Sequence, residues 1–497
     1  MTIFKNTSGL LPDFDNQEIP ILNYILGFLV SIFMYNFLEI FSDPGMVPFR
    51  LLPFTNELAV PASASIAIHF LHVGLWWTAI ALVIPIVLTL LTKESIGKNL
   101  RAVFSFSWIM ILIPLTDLII SRGQGIDIHY LYPKKFADLL SIYSQFTPGE
   151  NLTVPLALCL IAKYCFAITK KISATLATVI LISAFIILAG LMPFFMRSLA
   201  GYFKIILEGI SPIPIIRILT IAIFLELTLI FYLKDRGYFL ALLKDTDLFK
   251  TLNFVLFFIL GILLFRPHIG RFLLENIGSF ILSVVSVSLV WVFANAASYI
   301  NNEPQNKKHR IAALGVFLLA LLCALAVNFT TLYFMLLSSS LCAAYLFAPF
   351  KLKRFALFSK MIISLCLLLL VILGWLFAGG EIFDFPQIFS LYILLFMPIC
   401  LNVMDIKDCS SDKNAGIKTL PAELGEKKAK LLIGLAFLAT YLAIPWLFLN
   451  KLLFLPSLLF GLMQAYLINH KKFRQEFVFL THLISLSLLL VWLNFRI

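Results

Sequence analysis

Apolar segments long enough to cross a bilayer recur from one end of this chain to the other, and no other feature limits its fold as much. A helix needs about 20 mostly apolar residues to cross a hydrocarbon core about 30 Å thick. In lipid each backbone N–H and C=O must be paired within the segment, so spans of this length read as helices and not as strands. The expected fold class is therefore all-α, a polytopic transmembrane helix bundle of about fifteen spans. Of the 497 residues, 61% are hydrophobic and 13% charged, too few polar side chains for water to be the main solvent.

Six spans fall between residues 21 and 233, the third of them a single helix over 101–120, and nine fall between 251 and 495. The most polar break, KDRGYFLALLKDTDLFK at 234–250, divides the chain into an N-terminal membrane module (1–235) of about six helices and no assigned function, and a nine-helix module (236–497). Lysines and arginines collect in alternate loops, at 93–101, 170–171, 234–250, 307–310, 351–360, 407–430 and 471–474. This places the N-terminus in the cytoplasm and the C-terminus outside, and it explains the net charge of +12 without a nucleic-acid partner. The N-terminal twenty residues lack the short apolar core and cleavage site of a secretion signal, and the expected location is the cytoplasmic membrane of a bacterium, with membrane lipid as a partner. Seven cysteines without CxxC spacing argue against a disulfide framework or a zinc site.

The segment with the most chemical content is LNVMDIKDCSSDKNAGIKTLPAELG at 401–425, at the cytoplasmic end of the twelfth span. Asp405, Asp408 and Asp412 are spaced i, i+3, i+7, which on a helix puts three carboxylates on one face. Such a group suits a divalent cation, and magnesium, which takes oxygen ligands and shares them with phosphates, is the natural candidate. The alternative is a solvated acidic turn neutralised by Lys407, Lys413 and Lys418. Gly416, Thr419, Leu420, Pro421 and Gly425 complete the pattern DxxDxxxDxxxGxxTLPxxxG, which resembles the second aspartate-rich motif of UbiA-type intramembrane prenyltransferases. Tyr345, Pro349, Lys353 and Arg354 resemble that family's Tyr-Pro then Lys-Arg loop.

The resemblance implies a nine-helix UbiA-like bundle in the second half and a Mg2+-dependent transfer of a polyprenyl group from a prenyl diphosphate to a lipophilic or aromatic acceptor. It implies Asp405, Asp408 and Asp412 as catalytic metal ligands, with Glu303 as a further ligand. Lys353, Arg354, Asn295 and Lys418 would bind the diphosphate. The chain departs from the family's first motif, NDxxDxxxD, for which it has Asn295, Ala296, Tyr299 and Glu303, so two carboxylates are replaced. That departure keeps open a catalytically inactive relative that binds or transports an isoprenoid lipid. In the first half, His69 and His72 share a helical face at i, i+3 but lack a third candidate metal ligand, and Asp117, near the outer end of the third span, reads either as a functional ionisable residue or as an interfacial one.

Overall fold

The computed structural model describes residues 20–42, 62–124, 126, 145–195, 198, 212–246, 248–302, 306–347, 352, 355–414 and 418–495. Among these residues fifteen helices are long and apolar enough to cross a membrane, and the one β element is an isolated bridge. Their outward faces carry exposed Leu225, Leu395 and Leu435, as lipid-facing helices require. The chain is a multi-pass integral membrane protein. It divides into two units, Met1–Phe239 and Leu240–Ile497.

In the first unit the helices are α1 (Ile21–Ser42), α2 (Ala62–Thr92), α3 (Ile96–Ser105), α4 (Leu112–Ile120), α5 (Pro148–Thr169), α6 (Ile172–Gly190) and α7 (Pro212–Lys234). Helix α2 packs on α1, α3, α6 and α7, and α4 packs on α1 and α5. The third span is not the single helix expected. A 3-10 turn, Ser107–Ile111, separates α3 from α4. Pro114 lacks an N–H to give the carbonyl of Met110, and the Ser105 and Ser107 hydroxyls donate to the carbonyls of Arg101 and Phe104 at 2.7 Å each. Both effects compete with the α-helical ladder.

After α8 (Arg236–Asp245), the second unit contains α9 (Leu248–Phe265), α10 (Gly270–Glu275), α11 (Ile277–Asn302), α12 (Lys307–Val327), α13 (Phe329–Leu346), α14 (Ala356–Phe377) and α15 (Gln387–Cys400). Two short helices, α16 (Cys409–Asn414) and α17 (Leu420–Leu424), precede α18 (Glu426–Leu447), α19 (Phe454–Asn469) and α20 (Gln475–Asn494). The spanning helices form a ring in which each packs on the next and α20 returns to α9. Helices α9 and α14 also pack on each other, dividing the ring into two smaller bundles.

That crossing depends on two glycines. A Cβ on Gly261 would strike the Val371 carbonyl of α14, and one on Gly374 would strike the Phe258 carbonyl of α9. Backbone meets backbone here, so no side chain can move aside, and small residues are what permit such contact in lipid. Gly261→Ala is expected to cost about 3 kcal/mol, the upper end for overpacking. A thermal-unfolding midpoint unchanged by this substitution in lipid nanodiscs would remove the crossing from this account.

Candidate functional site

The acidic segment leaves α15 through a 3-10 turn, Leu401–Asp405, and does not continue as the helix its spacing suggests. Asn402 accounts for the change: its side-chain amide donates to the carbonyls of Pro398 and Ile399 at 2.8 and 3.2 Å, occupying acceptors a helix would use. The three aspartates consequently have different surroundings. Asp405 is mostly buried, Asp408 is exposed on a turn, and Asp412 lies on α16. Thr419 Oγ1 donates to Asp412 Oδ2 at 3.3 Å.

The residues after the aspartates have local roles. Thr419 caps α17 by accepting from Ala422 N, Pro421 stands in its first turn, and Gly425 ends it at φ +82°, a conformation glycine adopts without strain. Cys409 Sγ donates to the Pro421 carbonyl at 3.1 Å, holding α17 over α16. Lys418 is exposed and pairs with Phe355 in the isolated parallel bridge, which ties the segment to the start of α14. Lys353, Arg354, Pro349 and Glu303 lie outside the described residues.

Asp405 has a partner that the sequence reading did not assign to the site. Lys360 Nζ donates to Asp405 Oδ1 at 2.7 Å, with the two side chains 4% and 16% exposed. Among the described residues Asp405 Oδ2 is buried without a hydrogen-bond partner. A buried carboxylate oxygen left unsatisfied is costly and calls for a cation, a water or a ligand proton. The sequence pattern groups Lys360 with the loop cations at 351–360. The available signal was a lysine within ALFSKMIISLCLLLL, where an ionisable group at membrane depth reads as functional.

Beside Asp405 a cavity of about 270 Å3 opens among α9, α11, α13 and α14, with Met404 in its wall. Its polar lining is uncharged and includes Asn295, Ser298, Ser338 and Tyr345. Asn295 Nδ2 and Ser338 Oγ are buried and unpartnered. Tyr345 lies within electrostatic reach of Asp405 and Asp412. Tyr299 stacks on the His309 ring, with centroids 5.3 Å apart, and Ala296 is fully buried. A second cavity, of about 80 Å3, lies in the other half of the ring, and Phe254, Trp291 and Met404 line both. The α9–α14 glycine crossing lies farther along both helices from the acidic segment than any residue they contribute to these cavities.

Magnesium fits this donor set. All the candidate donors are oxygens, and one of them, Asp405 Oδ2, is unsatisfied. Among the described residues no three His, Cys, Asp or Glu side chains converge into a ready metal centre. Magnesium does not require one, since it is usually held by one or two carboxylates, waters and the phosphates of a substrate.

Residues 301–477 match the sequence model of the UbiA prenyltransferase family. A solved structure of a UbiA homolog from Archaeoglobus fulgidus bound to Cd2+ is similar at 16% identity and a TM-score of 0.41, covering 51% of this chain and 97% of that one. Another, of a UbiA homolog from the same organism bound to DMAPP and Mg2+, is similar at 15% identity and a TM-score of 0.41, covering 52% and 99%. No curated protein matches the chain.

Proposed function

We propose, with the C-terminal half of the chain UbiA-type, a magnesium-dependent transferase that moves a polyprenyl group from a prenyl diphosphate to a lipophilic or aromatic acceptor in the membrane. The observation that carries this reading is the unsatisfied Asp405 Oδ2 beside a largely apolar cavity of about 270 Å3. Asp405, Asp408 and Asp412 would hold the metal, with Glu303 as a further ligand. When bound, the metal supplies positive charge to the diphosphate as the allylic carbon–oxygen bond weakens. Lys360 fixes the Asp405 carboxylate so that Oδ1 is occupied and Oδ2 is presented. Lys353, Arg354 and Lys418 would hold the diphosphate, as multidentate cationic donors do. Asn295 contributes a neutral amide donor to the cavity wall. The apolar lining holds the chain and keeps water from the electron-poor carbon. The cations of alternate loops support a cytoplasmic acidic segment and N-terminus.

A second reading, a non-catalytic binder or transporter of isoprenoid lipid, is favoured by the first motif, where Ala296 and Tyr299 supply no carboxylate. Turnover separates the two. Purified protein in lipid nanodiscs, given magnesium and prenyl diphosphates of graded length, is expected to release pyrophosphate and to place the prenyl group on an acceptor from a membrane extract. Ser338→Phe, which fills part of the cavity, is expected to shorten the longest donor turned over. Tight binding without turnover at any length would select the second reading, and no binding at all would end both.

A further inference from the structure

The N-terminal unit has a polar cluster and a cavity of its own. One end of α1, α2, α4 and α5 brings together Glu39, His69, Asp117 and Glu150. His69 Nε2 lies 3.1 Å from Glu39 Oε2, so this histidine is engaged by a carboxylate. The carboxylates of Glu39, Asp117 and Glu150 lie within electrostatic reach of buried Tyr35, which packs edge-on against Trp77 at 5.3 Å. Asp117 is fully buried, and its Oδ1 accepts from Gly149 N at 2.7 Å in the first turn of α5. A Cβ on Gly149 would strike the Ile113 carbonyl of α4, so glycine permits this contact. The Thr147 hydroxyl interacts with the Asp117 carboxyl, but among the described residues no hydrogen bond of 3.5 Å or less reaches Asp117 Oδ2.

Below this cluster lies an apolar cavity of about 120 Å3. Its lining runs on α2 from Trp77 to Leu88 and on α5 from Thr153 to Tyr164. At 1.5 Å per residue that is a slot about 16 Å long, parallel to the helices. The far end is closed and satisfied: Tyr164 Oη donates to Asn99 Oδ1, and Asn99 Nδ2 donates to Thr89 Oγ1, both at 2.9 Å. The near end is not. Thr153, 2% exposed, lines the slot with its Oγ1 unpartnered, one helical turn from Glu150. On α4, Ile113 lines the slot one turn before Asp117. One buried oxygen unpartnered among the described residues, Thr153 Oγ1, thus stands in the wall at the near end of the slot, and the carboxyl of Asp117 stands one helical turn beyond the lining residue Ile113.

We propose that this slot binds a single-chain amphiphile whose head group donates hydrogen bonds and bears no negative charge, a long-chain alcohol or amine, with its chain between α2 and α5 and its head at Asp117 and Thr153. Asp117 Oδ2 and Thr153 Oγ1 can both accept, so a head group that donates hydrogen bonds suits this end of the slot. The cluster offers a phosphate head three carboxyl groups and, among the described residues, no lysine or arginine, and His69 is already engaged by Glu39, which disfavours prenyl diphosphates and anionic phospholipids at this position. The slot therefore selects a lipid class opposite in charge preference to the donor of the C-terminal unit.

The test uses the full chain in nanodiscs with diazirine-bearing sixteen-carbon probes that end in a hydroxyl, an amine or a monophosphate, followed by peptide mapping. The hydroxyl and amine probes are expected to label the 77–88 and 153–164 segments at least tenfold more than the monophosphate. Ala157→Phe, which fills the slot, and the near-isosteric Thr153→Val should each reduce that labelling at least fivefold. Asp117→Asn keeps an acceptor for Gly149 N and should reduce labelling by the amine more than by the alcohol. Labelling by one of the two heads alone identifies the ligand's head group and supports the proposal. Equal labelling by the monophosphate overturns it, as does labelling confined to other segments or labelling indifferent to both slot variants.

Discussion

Lys360→Met is expected to destabilise the C-terminal unit by about 3–5 kcal/mol, the usual cost of removing one partner of a buried ion pair. The loss follows from the charge left behind more than from the bond removed. With Lys360 gone, both oxygens of Asp405 would stand unpartnered among the described residues, where Oδ2 has no partner and Oδ1 has only the lysine. The second substitution in Lys360→Met/Asp405→Leu removes that stranded carboxylate, so the double variant is expected to recover most of the stability while remaining inactive. Thermal unfolding in nanodiscs reads the first effect and pyrophosphate release the second. A single variant as stable as the parent would mean that the 2.7 Å contact contributes nothing to the fold.

Asp408→Ala and Asp412→Ala are expected to lower the rate of pyrophosphate release at least about 100-fold, or about 2.7 kcal/mol of transition-state stabilisation. Asp408 is exposed, so its variant is expected to unfold at the parent temperature. That separates the two predictions: loss of Lys360 damages stability, whereas loss of Asp408 damages only the chemistry. Asp412 is intermediate, because its carboxylate also accepts from Thr419 near the cap of α17. A rate for Asp408→Ala within threefold of the parent would leave the acidic turn a solvated surface feature.

Much of this was legible from local chemistry. Span length alone indicates fifteen crossing helices, because the requirement for internal hydrogen bonding in lipid leaves few alternatives. Gly416, Thr419, Leu420, Pro421 and Gly425 were legible as a motif, and the structure adds that Thr419 caps α17, Pro421 stands in its first turn and Gly425 ends it. What the sequence did not disclose depends on contacts between distant segments. Lys360 and Asp405 are forty-five positions apart, and Asp117 and Gly149 thirty-two, so nothing in either neighbourhood announces the pairing. The aspartate spacing misled for a different reason. The i, i+3, i+7 pattern presumes an α-helix, and the Asn402 side chain gives the chain another use for its carbonyls at that point.

In the proposed reaction, Asp405, Asp408 and Asp412 present carboxylates to a magnesium-bound diphosphate beside the 270 Å3 cavity. Its most direct test is a magnesium titration of pyrophosphate release by the unmodified protein in nanodiscs, with a prenyl diphosphate in excess. No release is expected in EDTA, with a rate that rises and saturates with magnesium and a saturation point shifted to higher magnesium by Asp408→Ala wherever residual activity can be measured. Release that proceeds equally well without a divalent metal, or a magnesium dependence identical in the parent and in Asp408→Ala, would contradict it.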